Sequence, residues 1–122
     1  MPHIILAQTD NVADPRAGYK ALFAELHQVL VDIFGVDIGN CKSRAIRLDN
    51  YYVGAGEPEN AFVHLEVGIF EGRPTEVRRE AGQHCLAVLE SHFAHALERL
   101  KLQITVEIRE LDRKTYLKAA SG

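Results

Sequence analysis

Two stretches of this chain alternate apolar and polar residues with a period of two, and no other feature limits the fold as tightly. In the first, Val63, Leu65, Val67 and Ile69 stand against His64, Glu66 and Gly68. In the second, Leu102, Ile104, Val106 and Ile108 stand against Gln103, Thr105, Glu107 and Arg109. Successive side chains of a strand point to opposite faces, so each stretch offers one face to a core and keeps one polar face. A sheet built from such strands needs cover on one side only.

Two helical stripes supply that cover. Leu22, Leu26, Val29, Leu30 and Ile33 recur at spacings of three and four, after Asp14 and Pro15 provide an N-cap and a first-turn proline. This helix is expected to run to about Phe34 and to end at Gly35. A second helix is expected from near Pro74, with Leu86, Leu89, Phe93, Leu97 and Leu100 on one face. Glu76 in its first turn and Arg99 and Lys101 at its end suit the helix dipole. Residues 3–8 (HIILAQ) read as a short buried strand. From Ser43 to Tyr52 the pattern predicts a half-buried strand, with Ile46 and Leu48 on one side and Arg47 and Asp49 on the other. The turn-forming GAGEPEN at 54–60 predicts a hairpin between this strand and the next.

The order is β-α-β-β-α-β, an α+β domain over residues 1–122 with a four-stranded sheet and two helices on one face. A polar tail without pattern follows Leu111. The uncovered face is expected to carry Arg47, Asp49, His64, Glu66, Thr105, Glu107 and Arg109. It meets either water or the same face of other subunits across a symmetric interface.

Composition narrows the function. A chain of 122 residues has room for one core. Its net charge is -3 and its 14 lysines and arginines are scattered, which provides no basic face for nucleic acid. No apolar run approaches the ~18 residues of a membrane span, and the N-terminus lacks a basic segment leading into an apolar one. The expectation is a cytoplasmic protein with no nucleic-acid or membrane partner and with Cys41 and Cys85 as reduced thiols.

Pro2 is the residue that points to chemistry. Removal of Met1 is favoured when a small residue follows, and it leaves a secondary amine at the N-terminus. An α-amino group ordinarily titrates near 8, and an apolar pocket pulls that value toward neutrality. A base poised near the working pH is what proton-transfer catalysis requires. His92, His95 and Glu98 recur at spacings of three and read as a solvated face rather than as metal ligands. His64 reads as a solvent or interface residue, and Tyr51 and Tyr52 as lining for an active-site mouth or as strand packing.

The stretches MPHIILAQTDN, KSRAIRLDNYY and NAFVHLEVGIFEGRPTEVRREAGQHCLAVLESHF resemble the 5-carboxymethyl-2-hydroxymuconate isomerases of the tautomerase superfamily. The resemblance implies a homotrimer of tautomerase-fold subunits that uses neither metal nor organic cofactor. It implies an enzyme of homoprotocatechuate degradation, which shifts a proton within a dienol tricarboxylate. The family's catalytic proline falls on Pro2, and its arginine ahead of the second helix falls on Arg73, which the resemblance implies is a substrate-binding residue. Its Arg-Ser-Arg element reads Lys42-Ser43-Arg44 here, so Lys42 and Arg44 are the further substrate-binding candidates. Lysine at the first of these keeps the charge but loses the planar fork that grips a carboxylate with two hydrogen bonds. Two alternatives stand beside the isomerase: a superfamily relative that uses Pro2 for decarboxylation or hydration, and a non-catalytic ferredoxin-like binding module in which Pro2 is inert.

Overall fold

The computed structural model describes residues 1–122. Its elements are β1 (His3–Thr9), α1 (Tyr19–Phe34), a 3-10 turn (Ile38–Asn40), β2 (Lys42–Leu48), β3 (Asn60–Phe70), α2 (Thr75–His92), α3 (Ala94–Arg99) and β4 (Lys101–Leu111). The strands form one sheet in the order β2-β1-β3-β4. β1 runs parallel to β2, β3 parallel to β4, and the two pairs meet antiparallel through β1 and β3. Each strand-helix-strand unit thus contributes one parallel pair and one helical cover.

The core lies between the sheet and the helices. Ile4 and Leu6 of β1, Val63, Leu65 and Val67 of β3, Leu22, Leu26 and Leu30 of α1, and Cys85 and Leu89 of α2 are fully buried. Gly35 ends α1 in the left-handed region at φ 68°, its N–H donating to the Val31 carbonyl. That conformation is open to glycine without steric cost. Burial pushes the Cys85 thiol up to about 12, which leaves it an inert core group. No helix is long and apolar enough to cross a membrane.

Several expectations are corrected. The predicted hairpin between the second and third strands does not form, because β1 lies between them. The most continuously apolar strand takes a central place, and the charged β2 takes an edge, where unpaired backbone and charged side chains meet water. β2 ends at Leu48 rather than Tyr52, and its phase is the reverse of that expected. Arg47 pairs in register with Gln8 on the helix side, where its guanidinium holds Asp14 at 2.8 Å and the carbonyls of Asp10 and Val12 at 3.1 and 2.8 Å. Ile46 lies on the open face, 48% exposed.

α1 begins at Tyr19 rather than at Pro15: Arg16 of the intervening loop donates to the His92 carbonyl and to Ser91, and Gly18 at φ 88° precedes the helix. The second helix is interrupted at Phe93, so that α3 is a separate turn and Leu97 stands 40% exposed. His92 is buried rather than solvated. Its Nε2 faces Glu25 of α1, while its Nδ1 has no partner within the chain.

His64, Glu66, Thr105, Glu107 and Arg109 lie on the open face as expected, whereas Asp49 falls beyond the end of β2, and the polar groups pair within the face. His64 Nδ1 lies 2.6 Å from the Thr105 hydroxyl, and Arg109 bridges Glu66 at 2.6 Å and Glu107 at 3.4 Å.

Candidate active site

The N-terminal end of β1 gathers the predicted site residues. Pro2 is buried, and its carbonyl accepts the Lys42 N–H at 3.1 Å, which fixes the start of β1 against the start of β2. The N-terminal amine of Met1 donates to the Asn40 carbonyl at 3.5 Å, and the Lys42 ammonium donates to the same oxygen at 2.9 Å. Burial holds this amine below its ordinary range, and the charges of Lys42 and Lys118 push in the same direction. Lys42 therefore faces the N-terminus as a neighbouring cation.

Arg73 reaches the same place from the other side. It sits in the short link between β3 and α2, where Gly72 at φ 119° turns the chain. The Arg73 guanidinium donates to the Phe34 carbonyl at 3.2 Å and lies 4.9 Å above the Phe34 ring. Its backbone carbonyl accepts from Arg78 Nε at 3.2 Å. Met1, Val36, Ile69, Phe70 and Arg73 line a cleft of about 30 Å³. Such a volume matches the share of roughly one water molecule. A larger groove of about 500 Å³ runs between α2 and β4, but it holds neither the N-terminus nor Arg73.

Arg44 is one step removed. Its Nη1 donates to His3 Nδ1 at 2.8 Å on the open face, and the opposite ring nitrogen of His3 lies 2.8 Å from the Tyr116 hydroxyl. With Nδ1 accepting, the ring proton resides on Nε2 and is donated to Tyr116. The His3 imidazole is held below its ordinary range by burial first, then by Arg44, Lys42 and the N-terminus. Tyr51 and Tyr52 line a different cleft with Asp10 and Asn60, at the far end of β1. No three His, Cys, Asp or Glu side chains stand close enough together to hold a metal ion.

Sequence reasoning passed over His3, Asn40, Tyr116 and Lys118. The first follows Pro2 directly and was legible by adjacency. Tyr116 and Lys118 sit in the patternless tail, where periodicity carries no signal; a lone aromatic among polar residues was the only mark.

Comparison with known proteins agrees with this arrangement. Residues 2–121 match the family model for 5-carboxymethyl-2-hydroxymuconate isomerase. The 5-carboxymethyl-2-hydroxymuconate Delta-isomerase of Escherichia coli is 31% identical over 111 residues, covering 91% of this chain and 87% of its own. The crystal structure of a 5-carboxymethyl-2-hydroxymuconate isomerase from Deinococcus radiodurans R1 superposes with a TM-score of 0.85 at 35% identity, covering 98% of this chain and 90% of that one. A fused 4-OT, a symmetric trimer, shares the fold alone, with a TM-score of 0.75 at 16% identity over 98% of this chain and 93% of that one. With a family match along almost its whole length and relatives at this level of identity, the chain belongs to the 5-carboxymethyl-2-hydroxymuconate isomerase family.

Proposed function

We propose that the chain, once Met1 is removed, isomerises an unsaturated 2-hydroxy carboxylate of the 5-carboxymethyl-2-hydroxymuconate type, with the Pro2 nitrogen as general base and then acid. The observation that carries this reading is the shared cleft of the N-terminus and Arg73, with the Lys42 ammonium alongside. With Met1 attached, the Pro2 nitrogen is an amide without basicity, and the cleft has room for about one water. Loss of Met1 frees the base and widens the cleft together.

The free amine takes the proton of the 2-hydroxyl. The oxygen's bonding pair becomes the carbonyl, the conjugated double bonds shift, and a carbon further along the conjugated chain takes the proton back from the prolinium. The proton count is unchanged and no electrons are gained or lost, so the residues suffice without a cofactor. Negative charge develops on the dienolate, and fixed cations stabilise it. Arg73 and Lys42 provide them beside the amine; Arg44 is the third candidate, directed to a more distant carboxylate.

The same reading takes the working form as a homotrimer in the cytoplasm. Supporting it are the open sheet face, whose charges are already paired across strands by Arg109, and the trimeric assembly of the fused 4-OT relative. Free Cys41 and Cys85 suit a reducing compartment.

The test is an ultraviolet assay of processed protein with the tricarboxylate dienol, alongside intact-mass measurement of Met1 removal. Pro2→Ala is expected to retain binding and lose most of kcat. Full activity in protein that keeps Met1, or in Pro2→Ala, would defeat the assignment of Pro2.

A further inference from the structure

The C-terminal segment, residues 112–122, is anchored on both sides of the Pro2 site. At its start, Arg113 Nε donates to the Glu71 carboxylate at 2.9 Å, Nη2 donates to the Glu71 carbonyl at 3.0 Å, and the guanidinium lies 4.8 Å above the Phe70 ring. Further on, the Lys118 ammonium donates to Asn40 Oδ1 at 3.3 Å. Glu71 follows the end of β3, and Asn40 precedes the start of β2. Since β1 lies between β2 and β3 in the sheet, a segment fixed at these two points crosses the N-terminal end of β1.

Tyr116 sits midway along this crossing. Its ring meets the His3 ring edge-on at 5.8 Å and the Phe70 ring at 5.4 Å. Phe70 is itself a wall of the cleft that holds Met1 and Arg73. The Tyr116 oxygen accepts the His3 Nε2 proton, and His3 is held in that tautomer by Arg44. The phenolic proton has no acceptor within the chain, His3 being its only side-chain partner.

We propose that the C-terminal segment is a strap over the active site and that the Tyr116 hydroxyl is a substrate-binding group, donating its proton in a hydrogen bond to an oxygen of the unsaturated hydroxy acid. The inference rests on the function proposed above. His3 is then a positioning residue, and Arg44, beside the carboxylate role proposed for it, helps to place it: Nη1 of the guanidinium fixes the imidazole tautomer, and the imidazole fixes the phenol. A chain of hydrogen bonds ending on a donor strengthens as the acceptor gains negative charge. The contact therefore counts for more on the dienolate than on the bound substrate, and it appears in kcat.

Tyr116→Phe keeps both ring contacts and removes only the hydroxyl. Its kcat on the dienol is expected to fall about 10- to 100-fold, the range of a hydrogen bond to a charged group, with thermal stability within 2–3 °C of the parent, roughly the scale of a sub-kilocalorie change. His3→Gln offers an amide N–H and an amide oxygen in place of the two ring nitrogens, and it is expected to retain more kcat than His3→Leu. The acid limb of the kcat profile owed to protonation of His3 is expected to vanish in His3→Gln.

An active parent with Tyr116→Phe at parental kcat overturns the inference and leaves the proposed reaction standing. Equal losses in His3→Gln and His3→Leu overturn the positioning role. A processed parent that does not turn over the dienol defeats the reaction itself, and the inference with it.

Discussion

Arg73→Ala separates two roles that one guanidinium fills. The first is structural. Phe34 is the last residue of α1, and its carbonyl is among those a helix leaves without an internal partner. Arg73 supplies one at 3.2 Å and covers the Phe34 ring at 4.9 Å. For a half-buried arginine the hydrogen bond is worth about 1 kcal/mol and the cation–π contact about 0.5–1 kcal/mol. Their sum, about 1.5–2 kcal/mol, lowers the melting temperature of a domain of this size by roughly 5–8 °C.

The second is the role proposed for it toward substrate. One Nη2 proton is spent on Phe34; Arg73 also lines the cleft, and the proposed function assigns the rest of its fork to a carboxylate. A charge-assisted contact of about 1.5–3 kcal/mol predicts a loss of about 10- to 100-fold in kcat/KM. Thermal unfolding and steady-state kinetics on one preparation, at a temperature well below both transitions, read the two losses independently. Arg73→Lys is expected to fall between parent and alanine in kcat/KM, since charge is kept and the fork is lost. If the alanine variant melts early but holds kcat/KM within twofold of the parent, Arg73 is a helix clamp and the substrate reasoning is refuted.

Lys42→Arg restores a planar fork beside the N-terminus and is expected to lower KM for the tricarboxylate dienol several-fold; an unchanged KM means that position 42 does not contact the carboxylates. His27, hydrogen-bonded to Ser43 at 2.6 Å, is held below its ordinary imidazole range by burial. Above pH ~6.5 both folded and unfolded forms are neutral there, and below it the unfolded chain binds a proton first. Stability is thus lost as pH falls from about 6.5 toward the lower folded value, and His27→Gln is expected to flatten the slope of melting temperature between pH 7.5 and 5. An identical slope in the variant would assign that loss to other groups. Arg109→Glu places three carboxylates together on the open face with Glu66 and Glu107. Light scattering is expected to report a trimer for the parent and smaller species for this variant, and a monomeric parent sinks the trimer.

The elements most legible in the sequence were those whose pattern is set by a single core. β3 and β4 alternate because one face meets the helices, and α1 carries an unbroken stripe closed by Gly35. β2 misled because it is an edge strand with few buried side chains, so charge and apolar character do not mark its faces. Arg47 is on the helix side because the loop after β1 presents carbonyls there, a need that lies 35–37 residues away in sequence. His92 misled for a related reason, its partner Glu25 being 67 residues distant on another helix. Pro2 was legible from its place after Met1 and Arg73 came from the resemblance, and periodicity offered no means to pair them. The His3–Tyr116 contact spans 113 residues, and nothing in a local window anticipates it.

The meeting of these distant residues follows from topology rather than from any one loop. β1 and β2 are parallel, so their N-terminal ends share one end of the sheet and bring Pro2 beside Lys42. β3 is antiparallel to β1, so its C-terminal end arrives at the same place and hands on to the link that bears Arg73. β4 is parallel to β3 and therefore also finishes there, which delivers the chain after Leu111 to the site. Lys42, Arg73, the N-terminus and the C-terminal segment are thus brought to one end of the sheet by strand direction. Register supplies the finer placement: His3 pairs with Gly68, whose lack of a side chain leaves the space that Leu111 fills, 3.1 Å from where a Cβ would stand. An alanine at position 68 would require the Leu111 side chain at the end of β4 to give by a few tenths of an ångström.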